Sequence, residues 1–119
     1  MNATTNNEST LYGKIFTQIS LRPMLGFVTE AFKDSQIRIS SHITKEEYIR
    51  AELGLDGILI IESISPTEFL IHGEAEFPGD LQQAAEILSD VLKREGMLFR
   101  FEIYQGDTLY SEAHHLAEG

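Results

Sequence analysis

Between Asp80 and Glu95 the apolar residues fall on one helical stripe: Leu81, Ala84, Ala85, Leu88, Val91 and Leu92. No other segment of the chain is so strongly periodic, and it restricts the fold to one in which a helix covers a second layer. Asp80 is placed to cap this helix, with Gln83 three residues on. Lys93 and Arg94 suit its negative C-terminal end, and Gly96 supplies a left-handed stop.

A second helix is expected from Leu21 to Lys33. Ser20 stands at the cap position and Pro23 is tolerated in the first turn. Met24, Phe27, Val28 and Ala31 give one buried face, and Lys33-Asp34-Ser35 breaks the pattern. Around these helices, alternation predicts strands over Leu11–Ile19, Gln36–Ser40, Thr67–Glu76 and Met97–Tyr104. Gly13 marks a bulge in the first. Gln105-Gly106-Asp107 reads as a turn, with a short return strand over Thr108–Ser111 and a tail from Ala113 to Gly119. Ser41–Leu53 can be written as a helix capped by Thr44 and Glu47 or as a strand over Tyr48–Leu53. Gly57–Ile64 is rich in isoleucine, and its propensity is for strand. If that segment is a strand, a plain ferredoxin-like sandwich results.

Arg22-Pro23, three residues, Phe27-Val28, one residue, Glu30-Ala31, then Ser35-Gln36-Ile37-Arg38-Ile39 resembles the opening of HPr. HPr is the histidine-containing phosphocarrier protein of the bacterial sugar phosphotransferase system. In that family the phosphorylated histidine stands two positions before the arginine, and here that position is Ser20. The resemblance implies an α+β fold, an HPr-like open-faced sandwich. Its antiparallel sheet carries helices on one face in the order β-α-β-β-α-β-α, with an extra C-terminal strand or hairpin. It places a short helix near Asp56–Ser63, capped by Asp56. Residues 1–10 then form a disordered tail, 11–96 the HPr-like domain and 97–119 an extension.

The resemblance also implies a function. A histidine phosphoramidate passes its phosphate on readily, helped by a helix N-terminus and an arginine. This chain keeps the helix start and Arg22 and lacks the nucleophile. Ser20 and Arg22 are thus the equivalent of the phosphocarrier site without its chemistry. The expected role is a regulatory, protein-binding module rather than a relay. Ile58, Leu59, Ile61 and Ile64 would sit where HPr proteins dock their partners. One alternative is an active phosphocarrier using His42 or His72. Another is a ferredoxin-like assembly domain that pairs with itself along an exposed edge at Leu98–Tyr104. No enzyme is expected, because no catalytic constellation is visible.

Charge narrows the partners. The net charge is −10, and from Ala51 to Leu92 there is no Lys or Arg. Glu52, Asp56, Glu62, Glu68, Glu74, Glu76, Asp80, Glu86 and Asp90 fall in that stretch. Such a surface repels nucleic acid and anionic membrane and favours a basic protein partner. The chain has no cysteine, so thiolate metal sites are excluded. His114-His115 with Glu112 and Glu118 looks like a metal clamp, but adjacent residues on an extended chain point opposite ways. No cofactor or metal is expected. The Asn/Thr-rich start is neither signal peptide nor targeting helix, and the expected location is cytoplasmic.

Overall fold

The computed structural model describes residues 8–54 and 57–116. It contains seven strands and two helices: β1 (Ser9–Phe16), α1 (Leu21–Ala31), β2 (Gln36–Ser41), β3 (Glu47–Glu52), β4 (Ile58–Ser65), β5 (Glu68–Ala75), α2 (Pro78–Arg94), β6 (Leu98–Gln105) and β7 (Thr108–His115). The strands form one sheet in the order β2-β3-β4-β5-β1-β6-β7, and every neighbouring pair is antiparallel. Neither the HPr-like sandwich nor a plain ferredoxin-like one describes a sheet of this width.

The decisive segment is Ile58–Ser65. It is β4, a strand, where the family resemblance places a short helix. Its residues alternate across the sheet: Leu59 and Ile61 are buried, while Ile58 and Ile60 are half-buried on the other side. A helix could bury only one stripe of these β-branched side chains, whereas a central strand gives both rows a surface. Ser41–Leu53 resolves as a turn and β3, and no helix forms on Thr44. Lys45 takes φ +73 in that turn. The Asp56 cap lies outside the described residues, as do residues 1–7 of the expected tail; Ser9 and Thr10 belong to β1.

Both helices lie on one face. Leu81, Leu88 and Leu92 of α2, with Met24 and Val28 of α1, pack over Leu11, Ile15, Leu59, Ile61, Phe69, Ile71, Phe99 and Phe101. Two glycines make room beneath them. A Cβ on Gly13 would stand 2.7 Å from the Phe101 ring and 2.2 Å from the Arg100 carbonyl. A Cβ on Gly73 would stand 2.5 Å from Leu59 Cδ2. The register through Gly13 is unbroken, so it is a close approach and not the expected bulge.

The helix ends differ from the sequence reading in one respect. Phe77 holds the cap position of α2 and Pro78 begins it, so Asp80 lies in the first turn and not at the cap. Proline's fixed φ and absent N–H fit that first position. At the other end Gly96 takes φ +75. Its N–H donates to the Lys93 carbonyl and that of Met97 to the Leu92 carbonyl, the paired bonds of a left-handed helix stop. Arg94 grips Glu30 of α1 through both guanidinium branches, with Nη2 to Oε1 at 2.8 Å. No helix among the described residues is long and apolar enough to cross a membrane.

Candidate functional site

The C-terminal ends of β3 and β5 both lie beside the start of β4, at one end of the strands, where α1 also ends and α2 begins. A cleft of about 590 Å³ opens there, lined by Phe32, Ser35, Leu53, Glu76, Phe77, Asp80, Gln83, Ala84 and Ile87. That is ample for a nucleoside-sized molecule. Each lining residue has a local reason for its place. Phe32 closes α1, with its N–H bonded to the Val28 carbonyl, and its ring is 7% exposed. Phe77 must break from the strand so that Pro78 can start α2, which leaves its ring 60% exposed. Asp80 and Gln83 are exposed on α2, and Ala84 is small and buried beneath them.

The cleft is acidic and aromatic. Glu76 and Asp80 flank Phe77. A smaller recess next to it is lined by Glu8, Glu74, Ala75 and Glu76. Two carboxylates within about 4 Å of a bound cation would each attract it by up to ~4 kcal/mol at an effective dielectric of 20. An exposed aromatic face adds about 1 kcal/mol for a cation or a flat ring. The chemistry suits a ligand that joins a positive centre to an aromatic group.

The residues singled out from sequence fall elsewhere. Ser20 holds the cap position of α1 with extended backbone, φ −87 and ψ 178, but its hydroxyl makes no cap bond. Arg22 is exposed on the first turn, away from the cleft. The expected docking residues are split by strand alternation. Leu59 and Ile61 are 1% and 0% exposed under the helices, while Ile58 is half-buried on the opposite face. Ile64, 46% exposed, lies at a register shift near the end of β4.

His42 and His72 meet at one carboxylate. His42 Nε2 lies 3.2 Å from Glu62 Oε1, and His72 Nε2 lies 3.7 Å from Glu62 Oε2. The His42 ring rests 4.4 Å from that of Tyr48. His114 and His115 belong to β7, one exposed and one half-buried, rather than to a tail. Among the described residues no group of three His, Cys, Asp or Glu side chains is placed to hold a metal ion. The edge expected at Leu98–Tyr104 does not exist: β6 is bonded to β1 on one side and β7 on the other. The edges are β2 and β7.

Sequence reasoning missed Phe32, Glu76, Phe77 and the outward role of Asp80. The signal was there in part. Glu74, Glu76 and Asp80 cluster within the stretch that lacks basic residues, and Phe77-Pro78 interrupts two regular elements. Their convergence with Phe32 needs the packing of α1 against α2.

No protein-family model matches the chain, and no curated protein sequence matches it. Among solved structures it is similar to a phage SAM lyase in complex with S-methyl-5′-thioadenosine. The TM-score is 0.54, with 8% sequence identity, over 98% of this chain and 95% of that one. The likeness is one of fold. It overturns the HPr resemblance, and with it the phosphotransfer-related regulatory role and the expectation that the chain is not an enzyme.

Proposed function

We propose that this chain binds an S-adenosyl sulfonium compound in the cleft at the start of α2 and cleaves it to methylthioadenosine. The reading is carried by one coincidence. A chain sharing nearly its whole fold with a SAM lyase also presents carboxylates beside an exposed aromatic ring in a nucleoside-sized cleft. Phe77 is the platform for the adenine, with Phe32 at the floor. Glu76 and Asp80 hold the cationic sulfonium and ammonium groups, and the net charge of −10 draws such a ligand in.

The sulfonium is its own leaving group. Among the described residues that line the cleft there is no imidazole or amine, and Glu76 and Asp80 are engaged with the cationic groups, so the carbon arm is closed from within the ligand. The ligand's carboxylate attacks the carbon bonded to sulfur. That carbon–sulfur bond breaks with its electron pair going to sulfur. The products are neutral methylthioadenosine and a five-membered lactone that keeps its ammonium group. The protein's contribution is to hold the arm folded so that the attacking oxygen and the carbon are aligned. We place this activity in the cytoplasm.

The test is calorimetry with S-adenosylmethionine and methylthioadenosine, followed by chromatography of the reaction mixture. Both ligands should bind, and methylthioadenosine should accumulate only with the folded protein. Phe77→Ala should weaken binding of both by about tenfold, from the loss of roughly 1–3 kcal/mol of stacking. Asp80→Asn should weaken the cationic ligand more than the neutral one. Absence of binding to either ligand would remove the proposal.

A further inference from the structure

The sheet face turned away from the helices carries its charges in rows whose two ends have opposite signs. Within one chain Glu102 already pairs with Arg100 and Tyr104, Lys14 with Glu68, and Glu62 with His42 and His72. One row of outward residues, followed through the strand registers, begins with Arg38 on β2 beside Arg50 on β3. It continues through Ile60 on β4, His72 on β5 and Tyr12 on β1. It ends with Glu102 on β6 beside Glu112 on β7. Like charges directly opposite one another destabilise a sheet, and this row has a basic pair at one end and an acidic pair at the other. Glu52 is shared by both arginines, at 3.0 Å from Arg38 and 3.6 Å from Arg50. The latter is too long for a hydrogen bond, and Arg50 Nε is buried without one.

The next row has the opposite polarity. Glu62 on β4 is followed by Leu70 on β5, then by Lys14, Arg100 and His114 on β1, β6 and β7. β5 is the middle strand of the seven. A two-fold axis along β5 therefore lays each row over itself reversed. Arg50 then faces Glu102 of a second copy, Arg38 faces Glu112, and Glu62 faces Lys14. Ile60 meets Tyr12 and Leu70 meets its own copy.

We propose that this open face is an interface between two copies of the chain, related by a two-fold axis along β5. Two further observations favour a second copy as the occupant. Five strands of eight residues and two of six, about 4.8 Å apart, present roughly 800 Å², close to the ~800 Å² per partner of a stable complex. Ile60, Leu70 and Tyr12 lie on the three central strands, so apolar side chains meet near the axis, where Lys14, Glu62, His72 and Glu74 also stand, while the pairs Arg38/Arg50 and Glu102/Glu112 lie on the outer strands. Aligned packing of two twisted sheets is an established geometry. The cleft at the start of α2 stays open, so this inference does not depend on what that cleft binds.

Arg50 and Glu102 are four strand spacings apart in one chain, about 19 Å, so any coupling between them is between copies. The test uses Arg50→Glu and Glu102→Arg, each checked for folding by circular dichroism, in sedimentation equilibrium at micromolar concentrations. Wild type should be a dimer. Each single reversal should weaken association at least tenfold. A one-to-one mixture of the two variants should associate as wild type does, because both reversed contacts are then restored. Glu74 faces its own copy beside the axis, so Glu74→Gln should tighten the dimer severalfold. A control change on the helix side, Ile87→Lys, should leave association intact. A wild-type monomer or trimer, or a mixture that stays monomeric, overturns the proposal.

Discussion

The two faces of the sheet are built from the same strands and obey different rules. Under the helices the residues are apolar, fully buried and tightly fitted, down to two glycines that admit Phe101 and Leu59. On the open face each row mixes charged and apolar residues, and ion pairs such as Lys14–Glu68 and Arg38–Glu52 lie on the surface. Stability therefore resides on the first face. Recognition is assigned to the second face and to the cleft at the start of α2. The difference shows that alternation within a strand assigns a residue to a face but does not say what that face is for.

Substitutions should separate the two faces by size of effect. Phe101→Ala, which empties the covered face beside Phe99, is expected to cost about 3–5 kcal/mol in urea unfolding. Leu70→Ala on the open face should cost less than half of that at concentrations where the chain is monomeric. Equal losses would dissolve the distinction.

Gly13→Ala should be next in size, at about 1–3 kcal/mol, because the added methyl meets backbone at Arg100 as well as the Phe101 ring. Gly26→Ala in α1 should act in the other direction. Nothing lies within 4 Å of the added methyl, and removing a helical glycine stabilises by ~0.5–1 kcal/mol. Together these two changes test whether space or backbone freedom sets the role of glycine on the helix side.

The smallest effect concerns the link between the helices. The hydrogen bond from Arg94 holds the Glu30 carboxyl below its ordinary value of 4.5. A carboxyl lowered in the folded state stabilises above its unfolded pKa, and that contribution is lost as pH falls through the folded value. Thermal melts of wild type and Glu30→Gln should differ slightly at neutral pH and converge in acid. A difference that grew in acid would reverse the assignment.

Much of the order of elements was legible in the residues, because helices α1 and α2 and strands β2, β5 and β6 have clear periods. β4 was misread for a definite reason. Its residues face apolar or half-buried surroundings on both sides, so the alternation that marks a surface strand is absent from its sequence. The family resemblance then outweighed the β-branched propensity of Ile58, Ile60 and Ile61, which was the better guide. The cleft was less legible. Asp80 has the pattern of a helix cap, and only the preference of Pro78 for the first helical position moves the cap to Phe77 and frees the carboxylate.

The chain's own residues determined that two amphipathic helices would cover a sheet, that one stretch would be strongly acidic, and that α2 would stop at Gly96. These follow from local periods, charges and backbone preferences, which act over a few residues. Tertiary structure alone decided the strand order that makes β5 the centre, that buries Leu59 and Ile61, and that joins Phe32 to Glu76, Phe77 and Asp80. It also decided that Arg50 and Glu102 would stand on one row at opposite ends. Those placements depend on β1 pairing between β5 and β6, strands far from it in sequence, and pairing is chosen by the burial of the whole sheet rather than by any one segment.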